Sequence, residues 1–269
     1  MPLINLHNHS SYSDGTLAPA ALAAEAARAG IKYFSLTDHD AAGGWGEMAA
    51  ALKEHGISYC CGVEIGAGPC DYLHILGYGI NPADPVLLAA LAALRERKVT
   101  RLHQTLALLK GLGIEVRDEE LHWRGSCPPD TFQVEAILRD RGLAPSRKEA
   151  HRLYFAPGAP AHAPRNSPTA AEAIKIIKGA GGRAVLAHPY TLGEGLDLPA
   201  LKDAGLEGLE AFYPRHTEDA TRGFLALAKR YGLFVTAGTD FHGPGTERDK
   251  MSGFEYNEEL FAEVRKSFI

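Results

Sequence analysis

Twelve histidines stand in a chain of 269 residues that carries only 4 cysteines, 3 methionines and 2 tryptophans. Histidine is the commonest metal ligand and the usual acid or base near neutral pH. Several of these histidines occur with acidic residues in short, repeated patterns. His7 and His9 stand two apart. Asp14 follows in a Ser-Asp-Gly turn. His39 lies between Asp38 and Asp40, Glu64 in Gly-Val-Glu-Ile, His74 in Leu-His-Ile-Leu, and His188 before Pro189. Asp240 and His242 repeat the two-residue spacing. A period of two puts His7 and His9 on one face of a strand, and packing alone asks for no such pair. One histidine at a strand end is ordinarily a hydrogen-bonded polar residue. Six of them buried with three carboxylates would leave repelling charges and unpartnered nitrogens, which a divalent cation resolves. Nitrogen and oxygen donors without thiolate suit Zn, Mn or Fe rather than a closed structural zinc site.

Strand and helix patterns alternate around these residues. Strands are expected at 3–9, 31–37, 57–65, 72–78, 183–187, 206–212 and 233–237. Helices are expected at 19–29, 48–55, 169–179, 218–231 and from 257 to the end. This rhythm implies an α/β protein with a parallel sheet, open or closed into a barrel. The six histidines named above fall at or just beyond strand C-termini, where such folds build their sites.

From about 81 to 165 the rhythm breaks. A long helix is expected at 85–112, shorter ones at 131–139 and 146–154, and one short strand at 114–116. The expected organisation is therefore a catalytic domain of residues 1–80 and 166–269, interrupted by a helical insertion (cap) of 81–165. The insertion carries 13 Lys and Arg against 10 Asp and Glu, the remainder 15 against 23. A cap more basic than its base suits an anionic substrate, while a net charge of -5 argues against coating long nucleic acid. No apolar run is long enough to span a bilayer. Cys60, Cys61, Cys70 and Cys127 form no Cys-x-x-Cys pair and read as reduced, and the N-terminus lacks a signal pattern. A cytoplasmic location is expected.

These motifs together resemble the PHP (polymerase and histidinol phosphatase) family of metal-dependent phosphoesterases. The resemblance rests on Leu-His-Asn-His-Ser with its Ser-Asp-Gly, Leu-Thr-Asp-His-Asp, Gly-Val-Glu-Ile, Leu-His-Ile-Leu-Gly, Ala-His-Pro and Gly-Thr-Asp-Phe-His-Gly, and covers nearly all the chain outside the insertion. It implies a distorted (β/α)7 barrel holding two to three divalent ions. One would sit on His7, His9, Glu64 and Asp240. A second would sit on Glu64, His74 and His188, and a third on Asp14, His39 and His242. The implied mechanism is in-line attack on phosphorus by a hydroxide held between two ions of a trinuclear site, with Asp14 counted among the catalytic residues.

The insertion's layout is most similar to members that take phosphate from nucleoside 3',5'-bisphosphates or trim short RNA from its 5' end. Ala163-Pro164-Arg165 and Tyr213-Pro214-Arg215-His216-Thr217 carry that likeness. Arg165, Arg215 and His216 are the expected contacts to a small phosphorylated substrate. His216 is also a candidate donor to the leaving oxygen. One departure is clear: Pro128-Pro129-Asp130-Thr131-Phe132 stands where those members carry an arginine and a histidine. Histidinol phosphate is the alternative substrate. A dinuclear amidohydrolase also begins with His-x-His but lacks a third metal, against which Asp14, His39 and His242 weigh. A non-catalytic metal-binding module is disfavoured because all nine ligand positions are filled. His55, His103, His122, His151 and His162 read as incidental.

Overall fold

The computed structural model describes residues 1–268 except 69–71, 124–127 and 130. Cys70, Cys127 and Asp130 therefore lie outside the described residues. Contacts divide the chain into one unit of residues 1–92 and 168–269 and a second of 93–167.

The first unit is built on one eight-stranded sheet. Its strands are β1 (Leu3–Asn5), β2 (Ile31–Leu36), β3 (Ser58–Ala67), β4 (Leu73–Tyr78), β5 (Arg183–Leu186), β6 (Gly208–Phe212), β7 (Phe234–Ala237) and β8 (Phe254–Glu255). They lie in the order β7-β6-β5-β4-β3-β2-β1-β8. The sheet then bends back on itself. The chain beyond β1 meets the chain around the end of β7, with the Leu6 amide donating to Ala237 at 2.9 Å and the His9 amide to Phe241 at 2.8 Å. Closure buries both faces of most strands, which explains their nearly continuous apolar runs. Ile4, Leu6, Phe34, Leu36, Val63, Ile65, Ile75, Val185 and Leu209 are all without exposure.

The expected parallel barrel needs three corrections. β4 runs antiparallel to both β3 and β5; the five positions between Ala67 and Leu73 are too few for the crossover that a parallel pair needs. The antiparallel direction brings the start of β4, with His74, to the rim where the neighbouring parallel strands end. The seven expected strands are joined by an eighth, β8, which pairs antiparallel with β1. Two residues long, it has no periodicity to reveal it. β1 stops at Asn5 rather than His9: the Leu6 and His9 amides turn to the end of the barrel seam, while the Asn8 carbonyl accepts from the Thr37 amide at 2.9 Å just beyond β2.

The outer helices are α1 (Pro19–Arg28), α2 (Trp45–Glu54), α6 (Ala170–Gly179), α7 (Leu198–Asp203), α8 (Glu218–Tyr231) and α9 (Glu258–Arg265). The last four start on side-chain caps. Thr169 accepts from the Glu172 amide while the Glu172 carboxylate accepts from the Thr169 amide, a reciprocal capping box. Thr217 and Asn257 cap α8 and α9.

α3 (Pro85–Gly111) begins in the first unit and continues in the second. The second unit also holds α4 (Thr131–Asp140) and α5 (Arg147–Ala150), which passes into a π-helical turn over His151–Phe155. The expected helix at 146–154 thus changes type partway. Residues 114–116 form no strand, since Ile114 and Val116 turn inward onto the core of Leu102, Leu109, Leu121, Val134, Leu138 and Phe155. No helix among the described residues is long and apolar enough to cross a membrane. Cys60 and Cys61 are buried and unpaired, and burial pushes both thiols up to about 12.

The capping box generates a simple expectation. Thr169→Ala should lower stability by about 1 kcal/mol in chemical denaturation, with the slope unchanged; an unmoved midpoint would contradict the cap.

Candidate metal centre and active site

Glu64 is the hub of the site. It lies near the end of β3 without exposure, and five imidazoles from four other segments converge on its two oxygens. His74 Nδ1 lies 2.8 Å and His188 Nε2 3.2 Å from Oε1. His7 Nε2 and His9 Nε2 each lie 3.1 Å, and His39 Nδ1 3.4 Å, from Oε2. Two further carboxylates complete the basin. Asp240 Oδ1 lies 3.1 Å from His9 Nε2 and 3.4 Å from His7 Nε2. Asp14 Oδ2 lies 3.1 Å from His242 Nε2 and 3.9 Å from His39 Nε2. All nine residues expected as ligands are thus brought into one basin at the rim of the barrel.

The backbone is bent to achieve this. Asp40, His188 and Asp240 are the three non-glycine residues with positive φ among the described residues, at 49°, 26° and 54°. Such conformations cost energy and persist where surrounding contacts dictate them. His188 and Asp240 are members of the basin. Asp40 follows His39, and its amide donates to the Glu64 carbonyl at 3.0 Å.

The charges oppose one another strongly. Burial pushes the Glu64 carboxyl up, but His39, His7 and His74 together hold it well below the usual carboxylate range. Asp14 is held low against its burial by His242 and His39, and Asp240 by His7 and Arg248. Burial pulls His7 down, yet Glu64, Glu210 and Asp240 raise it well above 6.5. His9 rises to about 9 against its burial, through Asp240 and Glu64. For His39 and His74 burial prevails and both fall.

Three groups place one donor atom per residue within 4.8 Å of one another: His7, His9, Glu64 and Asp240; His9, Asp14, His39 and His242; and His39, Glu64 and His74. Among the described residues, His9 Nε2 and Asp240 Oδ1 are buried without a hydrogen-bond partner, although they face each other. Unsatisfied donors of this kind, all nitrogen or oxygen, fit divalent cations. The grouping differs in detail from the expected sets. His39 rather than His188 joins Glu64 and His74, while His188 reaches Glu64 separately.

Other residues support the basin. Asp38 accepts from the Ser10 amide at 2.7 Å, Ser10 Oγ at 2.6 Å and Ser13 Oγ at 2.5 Å. It thereby holds the loop after β1, and through Ser13, 3.4 Å from His9 Nδ1, it also bears on a ligand ring. Arg248 and Glu210 carry no motif in the sequence, and Tyr213 stands in one without a role of its own. Arg248 lies against Asp240 Oδ2, and Tyr213 donates to the same oxygen at 3.3 Å, which leaves Oδ1 turned to the histidines. Glu210, without exposure on β6, lies 3.0 Å from His7 Nδ1. A lone glutamate in the apolar run Gly-Leu-Glu-Ala-Phe was the available signal for Glu210.

The expected substrate contacts are not members of the three donor groups. His216 donates from Nδ1 to the Ala211 carbonyl at 2.9 Å. Its ring packs among Tyr190, Tyr213 and Phe224, and burial lowers its pKa. A neutral ring with Nδ1 committed suits accepting a hydrogen bond at Nε2 better than donating a proton. Arg215 is half-exposed and pairs with Glu247 at 3.5 Å. Arg165 belongs to the second unit. Of the incidental histidines, His55 ends α2, His103 and His122 are exposed, His151 lies 2.9 Å from Glu135 and His162 bonds the Phe155 carbonyl.

Comparison with known proteins is consistent with this site. The PHP domain family model matches residues 5–114. The 3',5'-nucleoside bisphosphate phosphatase of Chromobacterium violaceum is 36% identical over 255 residues, covering 91% of this chain and 89% of that protein. The phosphoribosyl 1,2-cyclic phosphate 1,2-diphosphodiesterase of Eggerthella lenta is 30% identical, over 89% and 94%. A Bifidobacterium adolescentis structure described as a metal-dependent phosphoesterase superposes with a TM-score of 0.82 at 25% identity, covering 98% of this chain and 96% of that one.

The raised histidines set a pH dependence. In metal-free protein His9 contributes stability that is complete below its unfolded pKa of about 6.5 and is lost as pH rises through about 9; His7 acts with the same sign. The melting temperature of metal-free protein should therefore fall from pH 7 to 9.5 more than that of protein loaded with divalent metal. Cys60 and Cys61 lose stability with rising pH in both forms, so the difference isolates the histidines. Parallel profiles for the two forms would contradict the charge balance described.

Proposed function

Because this chain belongs to the PHP family of metal-dependent phosphoesterases, we propose that its basin removes a phosphate from a small nucleotide, a nucleoside 3',5'-bisphosphate being the first candidate. The observation that carries the proposal is the convergence of six imidazoles on Glu64, Asp14 and Asp240, beside a 36% identity to a phosphatase of that specificity spanning nearly both chains. Membership of the family makes the protein a hydrolase of phosphoric esters. The substrate, the ion count and the role of each residue belong to the proposal.

His7, His9, Glu64 and Asp240 hold one ion in this reading. Glu64, His74 and His188 hold a second, and Asp14, His39 and His242 a third, with His39 close enough to Glu64 to serve either neighbour. Mn, Fe or Zn in such a basin would neutralise phosphate oxygens and acidify water toward neutrality. The chain's own residues do the rest. Arg248 and Tyr213 occupy one oxygen of Asp240 and so aim the other. Asp38 fixes the loop that carries His9 and Asp14. Arg215 and Arg165 are the candidates for gripping phosphate oxygens through paired guanidinium hydrogen bonds. His216 is the third candidate contact, through Nε2, which is buried and has no hydrogen-bond partner among the described residues.

Phosphate release tests the substrate. Stripped protein supplied with Mn2+, Fe2+ or Zn2+ should hydrolyse a 3',5'-bisphosphate faster than histidinol phosphate, a 5'-phosphorylated short RNA or p-nitrophenyl phosphate. Faster turnover of histidinol phosphate would replace the proposed substrate, and no hydrolysis of any of them would refute the reading. Asp14→Ala and His242→Ala should each lower bound metal by one equivalent and turnover by about 100-fold with the fold retained. Full metal content in both variants would contradict the third group.

A further inference from the structure

Glu210 spends its two carboxylate oxygens on two histidines of different segments. Oε1 lies 3.0 Å from His7 Nδ1. Oε2 accepts from the backbone amide of His188 at 2.7 Å. Each histidine turns its other side to the hub: His7 Nε2 lies 3.1 Å and His188 Nε2 3.2 Å from Glu64. The two rings are stacked, with centroids 5.7 Å apart.

Two features show that the contact is built for. His188 adopts φ 26° and ψ 59°, a left-handed conformation unusual for a residue with a Cβ, and its amide in that turn points to Glu210. Gly238, just beyond β7, leaves room on the other side. A Cβ there would fall 2.3 Å from His7 Cβ and 2.7 Å from Glu210 Oε1, so any side chain would wedge the imidazole from the carboxylate. Strand β6, the turn after β5 and the loop after β7 thus cooperate to place one carboxylate between two ligand-bearing segments.

We propose that Glu210 is a positioning residue that couples two metal subsites. It keeps His7 in the tautomer protonated at Nδ1, with Nε2 presented to an ion. It also holds the His188 turn that carries a second imidazole to Glu64. A carboxylate behind an imidazole ligand fixes ring orientation and increases ligand basicity. Here one carboxylate does so for His7 and anchors the backbone of His188 as well. The third group, Asp14, His39 and His242, makes no contact with Glu210 among the described residues. This inference rests on the reading of the basin as a metal site.

The test compares Zn2+ binding to metal-stripped wild type and Glu210→Gln by calorimetry. The amide matches the carboxylate in size but has one acceptor oxygen, so at most one of the two bonds survives and the other position sets an N–H donor against a donor. The variant should stay folded and lose about 10- to 100-fold in affinity at two of the ions together, while the remaining one binds as in wild type. Wild-type affinity at every ion in the variant would overturn the inference. If wild type itself takes up no Zn2+, the functional reading fails and the inference with it.

Should Glu210→Gln not fold, 15N-histidine spectra of Zn2+-loaded wild type decide instead. His7 should show a slowly exchanging proton on Nδ1 and none on Nε2. The opposite tautomer would overturn the proposal.

Discussion

The structure depends on keeping the Glu64 carboxylate ionised although it has no exposed surface. Burying such a charge costs several kcal/mol unless charge and hydrogen bonds compensate. Five imidazoles supply that compensation, and every segment that carries one is bent or terminated to do so. β1 ends early, β4 reverses direction, and His188 and Asp240 take left-handed backbone conformations. The barrel holds these segments together while the basin dictates how each one ends.

A second constraint is division of labour among carboxylates. Asp240 has one oxygen tied by Arg248 and Tyr213 and one left to the histidines. Asp38 is engaged by Ser10 and Ser13 and belongs to none of the three donor groups. Glu210 is spent behind the ligands. Acidic residues of similar burial therefore play different parts, decided by which partners their oxygens meet. The -5 net charge thus understates the attraction of the basin for phosphate, because three of its carboxylates face the positions proposed for cations.

Much of the site was legible in the sequence because ligand chemistry is local. His7-x-His9, Asp38-His39-Asp40 and Asp240-x-His242 announce themselves by residue type and a period of two. What stayed hidden lies in relations between distant residues. Glu210 and His7 are 203 positions apart, and Arg248 sits in a loop with no periodic pattern. Strand direction was hidden too, since alternation is the same in parallel and antiparallel strands, so β4 read correctly as a strand and wrongly as a parallel one. β8 is too short for any pattern. Helices with caps and amphipathic faces, such as α6 and α8, were read within a residue or two. The break at Ile114–Val116 shows the opposite case, where apolar residues that suggested a strand serve the core of the second unit.

The central claim is that Glu64 lies between divalent ions held by the nine residues around it. Anomalous diffraction at the manganese edge, from crystals of the full chain grown with Mn2+, tests this most directly. The account predicts at least two anomalous peaks within coordination distance of Glu64, and a further one between Asp14 and His242. Peaks confined to other parts of the molecule, or none in the basin at saturating Mn2+, would contradict it.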